Sequence, residues 1–207
     1  MRPAVTGGRV PRPNRETVMS LTVLEPPAVE PLTIGELKLF LKIDDDAEDQ
    51  LIADIARTAR RHVEDVTGKL MITQRWRIRR DAWPPSGRLA LPFGPVQSLD
   101  EVVVTGPSGP GAVDPAHFVL DGVSAPPRLA YAQGSLPEPA VPVAGISLDV
   151  TVGFGDPADV PDPILQALRL LTGHWLENRG LISVGHEVAV LPRMVEALLG
   201  PFTTRRL

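Results

Sequence analysis

The sequence predicts an α+β fold: a small helical core of about four helices, interrupted by an antiparallel β-sheet or sandwich insertion and flanked by extended N- and C-terminal arms. Three observations carry that prediction. Apolar residues recur at helical spacing in segments toward both ends of the chain, while between about residues 70 and 152 the period drops to two. The chain's 23 prolines and 18 glycines concentrate between the periodic segments, as turns and connectors do. At 207 residues, 43% of them apolar and 22% charged, the chain can bury one ordinary core, or one core with a sizeable appendage.

Residues 1–31 are rich in proline and arginine and read as an N-terminal arm, because they cannot offset their own ordering entropy alone. Met19, followed by SLTVLEPP, reads as an alternative translation start. The folded domain is expected over 32–202. Thr33-Ile34-Gly35-Glu36 is a capping box opening a helix over 33–43, with Ile34, Leu37, Phe40 and Leu41 on one side. Asp44, Asp45 and Asp46 break it. They do not make a calcium loop, since Ile55 stands where the twelfth-position carboxylate belongs. Asp46 or its neighbour instead caps a helix over 47–67, whose stripe includes Ile52, Ile55, Ala56, Ala59 and Val63. Gly68 ends that helix. Arg57, Arg60, Arg61 and Glu64 form its solvated face, and His62, at the edge of the stripe, is a packed structural histidine.

The β insertion follows over 70–152, with strands expected at 70–78, 87–93, 101–104, 117–121, 127–131 and 146–152. Gly106-Pro-Ser-Gly-Pro-Gly111 lacks the Lys-Ser/Thr of a phosphate-binding loop and reads as a turn. The proline-broken stretch 133–145 reads as an exposed loop. Val160-Pro161-Asp162-Pro163 then places prolines at a helix start, where a missing amide costs nothing. That helix, over 161–179, repeats Ile164, Leu168, Leu171 and Trp175 toward a core, and Gly180 stops it. Gln166, Arg169, Gly173 and Glu177 lie opposite. Leu170 stands among them, which implies contact with another chain, and His174 borders the apolar stripe on the same side. A short helix over 192–199 and a tail over 203–207 complete the chain.

Composition excludes several classes of function. A formal charge of −4 gives no global basic field for gripping phosphate, so groove reading is disfavoured. Without cysteine there is neither a disulfide framework nor a sulfur nucleophile. No apolar run approaches the roughly 20 residues that cross a bilayer, and the N-terminus lacks the apolar centre of a secretory signal, so a soluble, intracellular protein without a membrane partner is expected. The candidates for metal chemistry are His174, Glu177, His186 and Glu187, whose spacing is not that of a zinc-protease helix. No catalytic, cofactor or metal site is therefore expected; the alternative is a metal-dependent hydrolase using His174, Glu177 and His186.

The succession LTIGELKLFLKID, EDQLIADIARTARRHVEDVTGKLMITQRW, LPFGPVQSLDEV, VTVGFGDPADVPDPILQALRLLTGHWLENRG and LPRMVEALLGPF resembles the head–tail connector (adaptor) family of long-tailed phages and gene transfer agents. The resemblance spans about residues 32–202 and rests on structural signatures. It implies a virion structural protein, not an enzyme. Such a protein sits at the neck of a phage-like particle assembled in the bacterial cytoplasm. It implies a homo-oligomeric ring of about twelve copies that docks on the portal protein and receives a head-closure (stopper) or tail-terminator protein. Double-stranded DNA would pass through the ring's channel without sequence-specific binding. By the same resemblance the C-terminal segment reaches the portal, so the partner-contact candidates are Leu170, His174, Pro201, Phe202, Arg205, Arg206 and Leu207. A non-virion scaffold domain is the remaining alternative.

Overall fold

Two hydrophobic cores divide the chain, and the change of period in the sequence marks the border between them. The computed structural model describes residues 19–178 and 192–203. The helical core holds α1 (Ile34–Leu41), α2 (Asp49–Thr67), α3 (Asp162–Glu177) and α4 (Arg193–Leu199). The sheet core holds β1 (Met19–Glu25), β2 (Gln74–Arg80), β3 (Arg88–Ala90), β4 (Val96–Gly106), β5 (Gly109–Val113), β6 (Phe118–Asp121), β7 (Arg128–Tyr131) and β8 (Ile146–Val152). The predicted α+β class is borne out.

Local chemistry sets the helix ends. The Thr33 hydroxyl accepts from the Glu36 amide at 3.2 Å while the Glu36 carboxylate accepts from the Thr33 amide at 2.8 Å. That completed capping box holds the Glu36 carboxyl below its ordinary range, chiefly through the Thr33 backbone bond and then its hydroxyl. Thr33→Ala should lower stability by about 1 kcal/mol in urea titration, with Thr33→Ser recovering most of it; equal losses in both variants would refute the hydroxyl's role. Gly68, at φ 65°, terminates α2 in the left-handed conformation that glycine adopts freely. Asp46 does not cap α2. It pairs instead with Lys38, which also meets Asp49 at 2.9 Å, so the acidic turn is drawn back onto α1.

The apolar stripe of α2, including Ile52, Ala56, Ala59 and Val63, meets Ile164, Leu168 and Leu171 of α3. Arg60 and Glu64 belong to no solvated face: they are 5% and 7% exposed, because the segment before α1 lies across them. Arg60 Nε donates to Glu30 at 2.7 Å and Arg60 Nη1 to Glu64 at 2.8 Å, while the second Glu64 oxygen accepts the Met71 amide at 3.0 Å. His62 packs edge-on against Trp175 with centroids 5.6 Å apart, the structural role expected of it. On α1 only Leu37 is fully buried; Ile34 and Phe40 stay more than a third exposed, because α1 rests on its neighbours by one edge.

The larger sheet runs β1-β2-β8-β4-β5 and the smaller β3-β7-β6, with every named strand pair antiparallel. Two strands lie outside the expected set, and β2, β3 and β4 differ in their bounds from the expected 70–78, 87–93 and 101–104. Residues 19–25, assigned to the arm, form edge strand β1: Leu21 pairs with Ile78 and Val23 with Trp76, a long-range pairing that overrides the surrounding prolines. The remainder of the arm, 1–18, lies outside the described residues. The glycine-rich turn contracts to Pro107-Ser108, and Gly109–Val113 returns as edge strand β5. Thr105 exchanges its backbone bonds with Gly145 and Ala140 on the β8 side, so Pro110 across from it turns its ring nitrogen to the free edge. The 133–145 loop is fastened to the sheet by those same bonds and by Trp83 Nε1 donating to the Pro137 carbonyl at 2.9 Å.

The chain passes from sheet core to helical core at Val152-Gly153-Phe154-Gly155. Gly153 has φ 119°, and a Cβ there would lie 2.5 Å from the Ile72 carbonyl oxygen. Its amide donates to Pro95, the Phe154 amide to Met71, and Gly155 accepts from Thr73. This short stretch therefore locks the segment joining α2 to β2 against the end of β8.

Candidate docking surfaces

α3 divides its faces between two duties. Ile164, Ala167, Leu168 and Leu171 are buried toward α2. On the other flank Leu170, Gly173, His174 and Glu177 line a cleft of about 400 Å³, closed by Phe40 and Lys42 at the end of α1 and by Met194 of α4. Gly173, expected to face outward, is buried because α1 crosses there; a Cβ would lie 3.1 Å from Leu41 Cδ2, so the glycine sets the approach of the two helices. Leu170 is half-buried on the cleft wall. Met194 on the rim is 66% exposed, and Leu39, on the neighbouring turn of α1, is 83% exposed.

A second groove, of about 450 Å³, opens where the inner face of β1 overhangs the outer flank of α2. Leu21 and Val23 point into the face that carries Ile78 and Trp76, yet among the described residues each remains more than 40% exposed. Pro26, Trp76 and Phe93 line the floor and walls; Arg61 and Asp65 stand on the rim.

The outer face of the larger sheet is polar, and two of its arginines are paired with carboxylates. Arg77 meets Asp149 with two bonds of 2.6 and 2.7 Å, and Arg75 meets Glu25 at 2.5 Å and Asp100 at 3.5 Å. Arg75 and Arg77 each have a carboxylate across the strand, and those hydrogen bonds hold the two arginines above their already high ordinary values, while Arg79, next along the same face, has no carboxylate partner among the described residues. The two paired side chains have little left to offer a phosphate.

The structure separates the sequence candidates. Leu170 and His174 share the α3 cleft. Asn178 donates from Nδ2 to the His174 carbonyl at 2.8 Å and lies 3.3 Å from its Nδ1, an arrangement that fastens the histidine at the helix end. Pro201 and Phe202 fall in a 3-10 turn over Gly200–Phe202, where Phe202 packs half-buried on the helical core and Pro201 is exposed. Arg205, Arg206 and Leu207 lie outside the described residues, as do His186 and Glu187. Among the described residues no group of three or more His, Asp or Glu side chains is placed to hold a metal ion, and no helix is long and apolar enough to cross a membrane. The β1–α2 groove went unforeseen; the alternation of Met19, Leu21 and Val23 was the available signal.

Residues 31–106 match the family described as phage gp6-like head-tail connector protein. No curated protein matches the chain. Among solved structures, the chain is similar to one from the neck of an empty gene transfer agent particle computed with C6 symmetry, at TM-score 0.78 and 25% identity, covering 91% of this chain and 97% of that one. A chain from the virion of the native particle matches at TM-score 0.78 and 25% identity, covering 90% and 96%. One from the native neck computed with C12 symmetry gives 0.72 and 25%, covering 91% and 97%. The chain has the head–tail connector fold, and the resemblance legible in its sequence is borne out.

Proposed function

We propose that this chain is a structural subunit of a particle neck. It assembles into a ring, docks on the portal, extends the DNA channel and offers a surface to a head-closure or tail-terminator protein. The observation that carries this reading is the likeness to neck subunits over nearly the whole length of both chains. The pairing of Arg75 and Arg77 with carboxylates on the sheet's outer face supports it. A wall past which a polyanion slides must not hold it, and each unpaired cation would add a phosphate contact. Leu170, His174, Pro201 and Phe202 are the proposed partner contacts among the described residues, with Arg205, Arg206 and Leu207 for the portal.

The test is co-assembly. Mixed with portal rings, the protein should give a closed ring stacked on the portal by electron microscopy and native mass measurement, with self-association that depends on concentration when alone. A strict monomer that ignores portal assemblies would overturn the proposal. The hydrolase alternative is tested by heating the protein with and without zinc or manganese. An occupied site would raise Tm by ligand linkage, so the expected result is no shift. A metal-dependent rise abolished by His174→Ala would restore the alternative.

A further inference from the structure

We infer that the ring closes head to tail, with the α1–α4 rim of one copy seated in the β1–α2 groove of the next. The inference rests on the proposed ring. A cyclic ring of more than two copies needs two different surfaces on each subunit, placed so that one copy's first surface meets its neighbour's second. The structure supplies such a pair. α2 turns Ile52, Ala59 and Val63 to α3 and leaves the groove on its other flank; α3 turns Ala167, Leu168 and Leu171 to α2 and leaves the cleft on its own far flank. The α2–α3 layer therefore stands between the two surfaces, and they face away from each other.

Their chemistry is complementary. The rim offers a projecting side chain, Met194, at 66% exposure. The groove offers a recess lined by Trp76 and Phe93 together with Leu21 and Val23, which are more than 40% exposed among the described residues. Charge matches as well: Lys42 and Glu177 border the cleft, while Arg61 and Asp65 border the groove, so each side brings one charge of either sign.

The cysteine-free sequence makes the test direct. Leu21→Cys and Met194→Cys are placed together in one chain and treated with a short bismaleimide. The double variant should yield a ladder from dimer upward, an equal mixture of the single variants should stop at the dimer, and each single variant alone should stay uncrosslinked. Met194→Glu and Leu21→Glu should each raise the concentration for association about tenfold or more while leaving Tm unchanged. Rings without a ladder would overturn this interface and leave the ring intact. A dimer from Met194→Cys alone would replace it with a two-fold contact. Preferential cross-linking of Leu21→Cys to a cysteine introduced at Val10 of the same chain would give the groove to the N-terminal arm. A double variant that neither associates nor cross-links, alone or with portal rings, would overturn the interface and the ring together.

Discussion

Arg60→Ala should remove about 3–5 kcal/mol of stability at neutral pH, because it strands the buried Glu64 carboxylate without its counter-ion. Burial pushes the Glu64 carboxyl above its ordinary value of 4.5, against the opposing pull of Arg60 and the Met71 amide. A carboxyl raised in this way favours the folded state most below 4.5, and that contribution is lost as pH climbs through the folded value. Without Arg60 the value must rise further, so the penalty of Arg60→Ala should shrink as pH falls toward 4.5 and Glu64 takes up its proton. Arg60→Lys should recover only part of the loss, since an ammonium cannot reach Glu30 and Glu64 with a single planar fork. Urea titrations of the three proteins across that pH range provide the check. A loss below about 1 kcal/mol, or one that does not change with pH, would show that Glu64 is better hydrated than its surroundings imply.

Gly153→Ala should be comparably damaging, at about 3–5 kcal/mol, for an unrelated reason. Its φ of 119° lies where L side chains are strained, and the new methyl would meet the Ile72 backbone at 2.5 Å. Backbone on both sides of the contact is committed to hydrogen bonds, so neither can retreat without breaking the junction between the cores. Gly134→Ala is the matched control, with φ 72° but open space around its Cβ, and should cost about 1–2 kcal/mol. If the two substitutions lower Tm equally, the steric part of the argument fails.

How much was legible in the sequence depended on the range of the forces involved. The capping box at Thr33, the stop at Gly68 and the stripe of α2 are local and could be read directly. β1 could not, because its alternation sits in a proline-rich context and its partner β2 lies some fifty residues on. β5 carries glycine and proline where a strand would carry branched residues; hairpin geometry, not propensity, makes it a strand. Arg60 looked solvated because helical spacing cannot reveal that Glu30 folds over it. The site shows the same division. Leu170 betrayed itself as an apolar residue on a polar flank, but the cleft exists only because α1 and α4 arrive on the same side of α3.

Pro110 has a consequence for the free edge of the larger sheet. An exposed strand edge is a template on which another chain can add its own, and crowded copies presenting such edges are prone to open-ended cross-β fibres. By facing a nitrogen without hydrogen to the outside, β5 withholds a donor from any strand that might align with it. A Pro110→Val variant should therefore form thioflavin-positive aggregates sooner than the parent under the same agitation.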